Sequence, residues 1–140
     1  MIEAIRYHDI SAGHRVVNHE SKCQHLHGHN YRVHFHVIAP ELDALGRVMD
    51  FSVIKSHLAM WLEDNWDHKM ILYKKDPKLK ALIPVFGNDI VEVPFNPTAE
   101  NMAKYLVEVV GPKQLKGTGC KLRKVVIEET RKCSASYVAS

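Results

Sequence analysis

An α+β domain, with helices packed on one face of an antiparallel sheet, is the fold class this sequence predicts. Three observations carry it. Residues 28–38 alternate: His29, Tyr31, Val33, Phe35 and Val37 form a mainly apolar row, and Asn30, Arg32, His34, His36 and Ile38 a mostly polar one. That is the period of a half-buried strand. Two stretches place apolar residues at helical spacing. The patterns run strand, strand, helix, helix, strand, strand along 140 residues, enough for one domain spanning 1–140 with one core.

Taken in order, residues 3–12 read as an opening strand and 28–38 as the second, ended by Pro40 and a loop through Gly46. Arg47–Phe51 reads as a short extended piece. Ser52 can cap a helix over about 53–65, where Ile54, Leu58, Trp61 and Leu62 make one stripe. Pro77 and Pro84 break the next stretch, which allows a short helix near 77–82 and a strand over Ile90–Phe95. Asn96-Pro97-Thr98 opens the second helix with a capping residue and a proline. Its stripe is Met102, Leu106, Val109 and Val110, and Gly111 ends it. Residues 121–130 and 133–138 read as strands.

Hydrophobic residues make up 46% and charged residues 25%, the balance of a globular protein. No apolar run approaches the ~20 residues that span a bilayer, and MIEAIRYHDI carries charges where a signal peptide is apolar. The expected location is the cytoplasm. The net charge of +3 suits a small anionic substrate, and no dense Lys/Arg stripe calls for nucleic acid. Three cysteines, Cys23, Cys120 and Cys133, do not make a disulfide framework; the last two read as structural. Ten histidines is the unusual count, and eight of the ten lie between His8 and His36.

The run Cys23-Gln24-His25-Leu26-His27-Gly28-His29 carries the most information. On a strand, His27 and His29 point to one face. A catalytic zinc site takes three protein ligands and keeps a fourth position open. His14, at the end of the first strand, is the candidate third ligand, because a hairpin returns that end to the start of the second. Cys23 admits three readings: a fourth ligand, a thiol activated by the nearby cation, or an inert buried cysteine. Asp67-His68 is either an acid–base pair or a polar helix exit. Glu129 shares a face with Val125 and Ile127, so it is either a part-buried carboxylate awaiting a ligand with N–H donors or a rim residue. His34 and His36 read as solvated or interface residues. His8, His19, His25 and His57 show no partner pattern.

Together these residues resemble the 6-pyruvoyltetrahydropterin synthase and 6-carboxytetrahydropterin synthase family over essentially the whole chain. Ser11-Ala12-Gly13-His14-Arg15 resembles the first zinc-ligand motif, and Cys23-x3-His27-Gly28-His29-Asn30-Tyr31 the main signature. Val48-Met49-Asp50-Phe51-Ser52, Asp67-His68, Pro97-Thr98-Ala99-Glu100-Asn101 and Glu128-Glu129-Thr130 resemble later motifs in the family's order. Three residues between Cys23 and His27 resemble the bacterial carboxy-type members of queuosine biosynthesis. Animal pyruvoyl-type members have a longer gap, and aldolase-like relatives carry Glu in place of the cysteine. The segment 73–95 is longer than in the family's shortest members, which implies a surface insertion at the site's rim or away from it.

The resemblance implies a tunnel fold: a four-stranded antiparallel sheet with two helices on one face, closing into a barrel as a trimer or a hexamer with active sites shared between subunits. It implies Zn2+ held by His14, His27 and His29, with Cys23, Asp67 and His68 catalytic and Glu129 and Thr98 binding substrate. The implied lyase reaction converts 7,8-dihydroneopterin triphosphate to 6-carboxy-5,6,7,8-tetrahydropterin, with loss of triphosphate and acetaldehyde. Two alternatives are a pyruvoyl-type synthase that stops after triphosphate loss and a non-enzymatic zinc- or pterin-binding module.

Overall fold

The computed structural model describes residues 1–140. β1 (Ala4–His14) and β2 (His27–Ile38) pair antiparallel along their whole length, from Ala4 opposite Val37 to His14 opposite His27. β2 then pairs antiparallel with a late strand, Lys121–Glu128, which pairs antiparallel with Ser134–Val138. These are the four expected strands.

The sheet has six strands, however, not four, and it is mixed. β3 (Met70–Tyr73) lies parallel to β1, with His14 opposite Ile71, and β4 (Ile90–Val93) lies parallel to β3. Numbering the two late strands β5 and β6, the order is β4-β3-β1-β2-β5-β6. The stretch 73–95 is therefore no surface insertion. It crosses through a helix, α2 (Leu79–Phe86), and delivers β4, whose Val93 joins the core.

Two longer helices lie on one face. α1 covers 51–65, with a π turn at Lys55–Ala59 between α-helical segments Phe51–Ile54 and Met60–Asn65. Its cap is Asp50, not Ser52: the Asp50 carboxylate accepts from the Ser52 N–H at 2.8 Å. The expected extended piece at 47–51 is instead a turn, tied by Arg47 to Asp43 and Asp50, that leads into this cap. α3 covers 99–114 and does not stop at Gly111. A Cβ at Gly111 would come within 2.8 Å of Leu122 Cβ, so this glycine lets the helix approach β5. A π turn at Leu106–Val110 shifts the helical phase. Val109 is thereby turned outward, 49% exposed, and Val107 is buried in its place.

The core forms between the α1 and α3 stripes and the apolar rows of β2 and β5. Ile54, Leu58 and Leu62 meet Met102 and Leu106 over Tyr31, Val33, Phe35, Val125 and Ile127, all buried. The opposite sheet face is polar. Arg32 forks onto Asp9 at 2.8 and 3.1 Å and lies over the Tyr7 ring. His34 and His36, expected to be solvated or at an interface, are half-buried there and pair with Glu128 and Glu3. Edge strands β4 and β6 have no outer partner within one chain.

Candidate metal centre and its surroundings

The β1–β2 register builds the centre. His14 is directly opposite His27, and Ala12 is opposite His29. Directly opposed and diagonal side chains on one face of an antiparallel pair are neighbours, so all three imidazoles converge at the end of the core row. Their ligand atoms lie within 4.8 Å of one another. Ala12, small and buried, leaves His29 room.

Backbone carbonyls fix the tautomers. His14 donates its Nδ1–H to the Pro97 carbonyl at 2.6 Å, and His27 donates its Nδ1–H to the His25 carbonyl at 2.6 Å. With Nδ1 so committed, a neutral ring turns its Nε2 lone pair inward, and these two nitrogens are 3.0 Å apart. Two lone pairs at that distance repel unless a cation lies between them. His29 Nε2 is buried with no hydrogen-bond partner. Burial, then the Pro97 bond acting the other way, then the neighbouring imidazoles leave the His14 pKa at about 4, so the ring is neutral at neutral pH. Burial lowers His29 as well, with Glu129 opposing it. Three converging imidazole nitrogens are a donor set that suits zinc, and also copper, iron or nickel.

Glu129 follows β5, and its Oε1 is 3.4 Å from Nε2 of both His14 and His29. It is not part of the three-residue cluster. The carboxylate therefore stands beside the metal seat without closing it, and it lines a cleft of about 810 Å³ shared with His29, Asn30, Asp67 and His68. Tyr31, next along the ligand row, has a buried hydroxyl without a partner. Burial first, then the negative charges of Glu129 and Cys23, push its phenol pKa far up, so it remains a proton donor.

Asp67 and His68 leave α1 in a turn where His68 takes φ +59°. The pair is bolted to β1: the Ser11 N–H donates to Asp67 Oδ1 at 2.9 Å, and the His68 N–H donates to the Ser11 carbonyl at 2.6 Å. Asp67 Oδ2 lies 2.9 Å from His68 Nδ1, whose ring is 80% exposed. Burial raises the Asp67 pKa, but hydrogen bonds from Ser11 and His68, together with Coulomb attraction, outweigh it and hold the carboxyl below its ordinary value. Asp67-His68 is thus a hydrogen-bonded pair at the helix exit.

Cys23 sits half-buried in a one-turn helix, Lys22–Gln24, between β1 and β2. It is not in the histidine cluster. Neither cleft beside the imidazoles is lined by Cys23. Thr98 is occupied as the α3 cap, accepting from the Asn101 N–H at 3.1 Å, and it lines neither cleft. Sequence reasoning missed the Pro97 carbonyl that orients His14, for which no local signal exists. It also missed Tyr31, which its place on the ligand row could have flagged.

The family model described as 6-pyruvoyl tetrahydropterin synthase matches residues 4–140. A curated relative from Rickettsia felis, named 6-carboxy-5,6,7,8-tetrahydropterin synthase, is 37% identical over 134 residues, 95% of this chain and 97% of the relative. One from Rickettsia typhi with the same name is also 37% identical over the same shares. Among solved structures, an uncharacterised protein from Wolinella succinogenes superposes with a TM-score of 0.87 at 25% identity, covering 99% of this chain and 98% of the other. The 6-pyruvoyl tetrahydropterin synthase of Caenorhabditis elegans gives 0.67 at 26% identity, covering 99% and 96%.

Proposed function

This chain belongs to the 6-pyruvoyl tetrahydropterin synthase family, and from that premise we propose that it is a zinc-dependent 6-carboxy-5,6,7,8-tetrahydropterin synthase acting in the cytoplasm on 7,8-dihydroneopterin triphosphate in queuosine biosynthesis. The identity to carboxy-type relatives across nearly the whole chain favours the carboxy over the pyruvoyl reaction. The observation that carries the site is the pair of inward lone pairs on His14 and His27, with the orphaned His29 nitrogen beside them.

His14, His27 and His29 hold the metal. Zinc supplies Lewis acidity, lowering the pKa of hydroxyl and C–H groups next to the atoms it binds. Cys23, as thiolate, takes and returns protons at the substrate side-chain carbons. Asp67 orients His68 and keeps its proton available for exchange with Cys23. Glu129 accepts hydrogen bonds from pterin N–H groups with the oxygen turned away from the imidazoles. Thr98, assigned to substrate binding by the family motif, caps α3 next to the Pro97 carbonyl that orients His14. Triphosphate leaves by elimination, and hydrolytic carbon–carbon cleavage, with water supplying the second carboxylate oxygen, releases acetaldehyde.

The assembly is a trimer or hexamer of this chain, with Cys23 meeting Asp67-His68 of a neighbouring subunit. One feature supports it: the unpartnered edges β4 and β6, which closure between copies would cover. The deciding experiment incubates the zinc-loaded protein with 7,8-dihydroneopterin triphosphate and identifies the products. Carboxy-pterin with acetaldehyde is expected. Triphosphate release with a pyruvoyl product would assign the pyruvoyl reaction instead, and bound zinc with no turnover would make the protein a binder.

A further inference from the structure

We propose that the buried ion pair of Arg15 and Asp76 is a positioning device for Cys23, a role that rests on the catalytic reading of that thiol given above. Arg15 directly follows the ligand His14. Its side chain is 7% exposed and that of Asp76 is 0% exposed. Removing two charges from water is costly, and an apolar pair can often stabilise a fold equally well. What only a guanidinium offers here is a rigid fork.

The fork is used. Arg15 Nε donates to Asp76 Oδ2 at 2.6 Å, and Nη1 donates to the Gln24 carbonyl at 2.5 Å. Gln24 follows Cys23 and ends its single helical turn, which has no side-chain cap of its own. The Cys23 carbonyl accepts from the Val16 N–H at 2.7 Å. The carbonyls of Cys23 and Gln24 are thus both tied to the two residues after His14.

Asp76 is itself fixed. Its N–H donates to the Tyr73 carbonyl at 2.8 Å, and its Oδ1 accepts from the Lys78 N–H at 2.8 Å. It therefore stands just past β3, whose Ile71 pairs with His14. Both arms of the clamp are referenced to His14, Arg15 through the chain and Asp76 through the sheet. The clamp sets the thiol's backbone relative to the metal ligands, the kind of placement on which proton transfer depends steeply.

The test compares zinc-loaded wild type with Arg15→Lys, which keeps the charge and loses the fork. The double variant Arg15→Met/Asp76→Leu removes both buried charges and leaves Gln24 without its donor. It covers the case in which the single variant fails to fold. Metal content, melting temperature, kcat, KM and the rate of Cys23 alkylation by iodoacetamide, read by mass spectrometry, are measured for each. The folded variants should keep zinc and KM. Their kcat should fall by roughly 10–100-fold, and the Cys23 alkylation rate should change. A folded variant with wild-type kcat and wild-type Cys23 alkylation would overturn the proposal and leave the pair a loop tie. Full turnover in a Cys23→Ala control would overturn the catalytic reading of the thiol, and this proposal with it, whatever Arg15 does.

Discussion

The Nε2 atoms of His14 and His27 face each other at 3.0 Å, while both Nδ1–H groups are spent on backbone carbonyls. A metal bound there would relieve that repulsion, and the orphaned His29 nitrogen would be its third ligand. His27→Ala should therefore lower zinc affinity by more than the roughly 10–100-fold loss that changes around a ligand already cause. His34→Ala, on the opposite face and paired with Glu128, should leave zinc content unchanged. Elemental analysis of the purified variants checks both, and stoichiometric zinc in His27→Ala would refute the ligand set.

The metal-free protein should be acid-sensitive in a defined window. Burial first, together with the neighbouring imidazoles, lowers the His14 pKa from 6.5 to about 4 in the fold. The unfolded state then binds more protons than the fold between those values, so stability rises with pH there. His14's contribution is complete above 6.5 and is lost as pH falls toward about 4. Melting temperatures of chelated protein should drop across that range, and His14→Gln should flatten the drop. An unchanged slope in His14→Gln would count against the buried neutral ring.

What the sequence made legible depended on local periodicity. β2 showed its alternation openly, and the hairpin logic placed His14 by His27. β3 could not be seen, because Met70-Ile71-Leu72-Tyr73 has no alternation and both central residues are buried. Gly111 reads as a stop only because the chain does not reveal that Leu122 packs against it. The partners that orient the site are distant in sequence: Pro97 is 83 residues from His14, and Asp76 is 61 from Arg15. No local pattern encodes such pairs.

Glu129 stands beside the metal seat, 3.4 Å from two of its three nitrogens. A carboxylate accepts two parallel hydrogen bonds from an amino group and a ring N–H, whereas the amide of Gln puts one donor against a donor. Glu129→Gln should keep zinc near stoichiometric and weaken pterin binding by at least about tenfold, on the order of the 1.5–3 kcal/mol of a charged hydrogen bond. Calorimetry with a product pterin, alongside metal analysis, reads both. Loss of zinc with unchanged pterin affinity would make Glu129 a ligand instead.

Shared active sites predict rescue by mixing. If Cys23 works with Asp67-His68 of a neighbour, inactive Cys23→Ala and inactive His68→Ala chains should regain part of their activity when dissociated and reassembled together. Light scattering of the assembly should give a multiple of three chains of 16.0 kDa. A fully active monomer would exclude the shared arrangement.

The last prediction concerns the thiol. Were Cys23 a fourth ligand, the site would be closed and substrate could reach the metal only by displacing a protein group. The geometry argues the other way. The three imidazole nitrogens gather within 4.8 Å, and the cysteine sulfur is not among them. Cys23 is joined to the ligand strands through its carbonyl, which accepts from the Val16 N–H at 2.7 Å. A cation held by the histidines would favour a neighbouring anion through space, without a bond to it. Cys23→Ala should keep zinc and assembly and lose turnover by roughly 10²–10⁴-fold. Cobalt-substituted wild type should show no thiolate-to-metal charge-transfer band at rest. If that band appears and Cys23→Ala also loses its metal, the sulfur is a ligand, and the proton transfers assigned to it belong to another group.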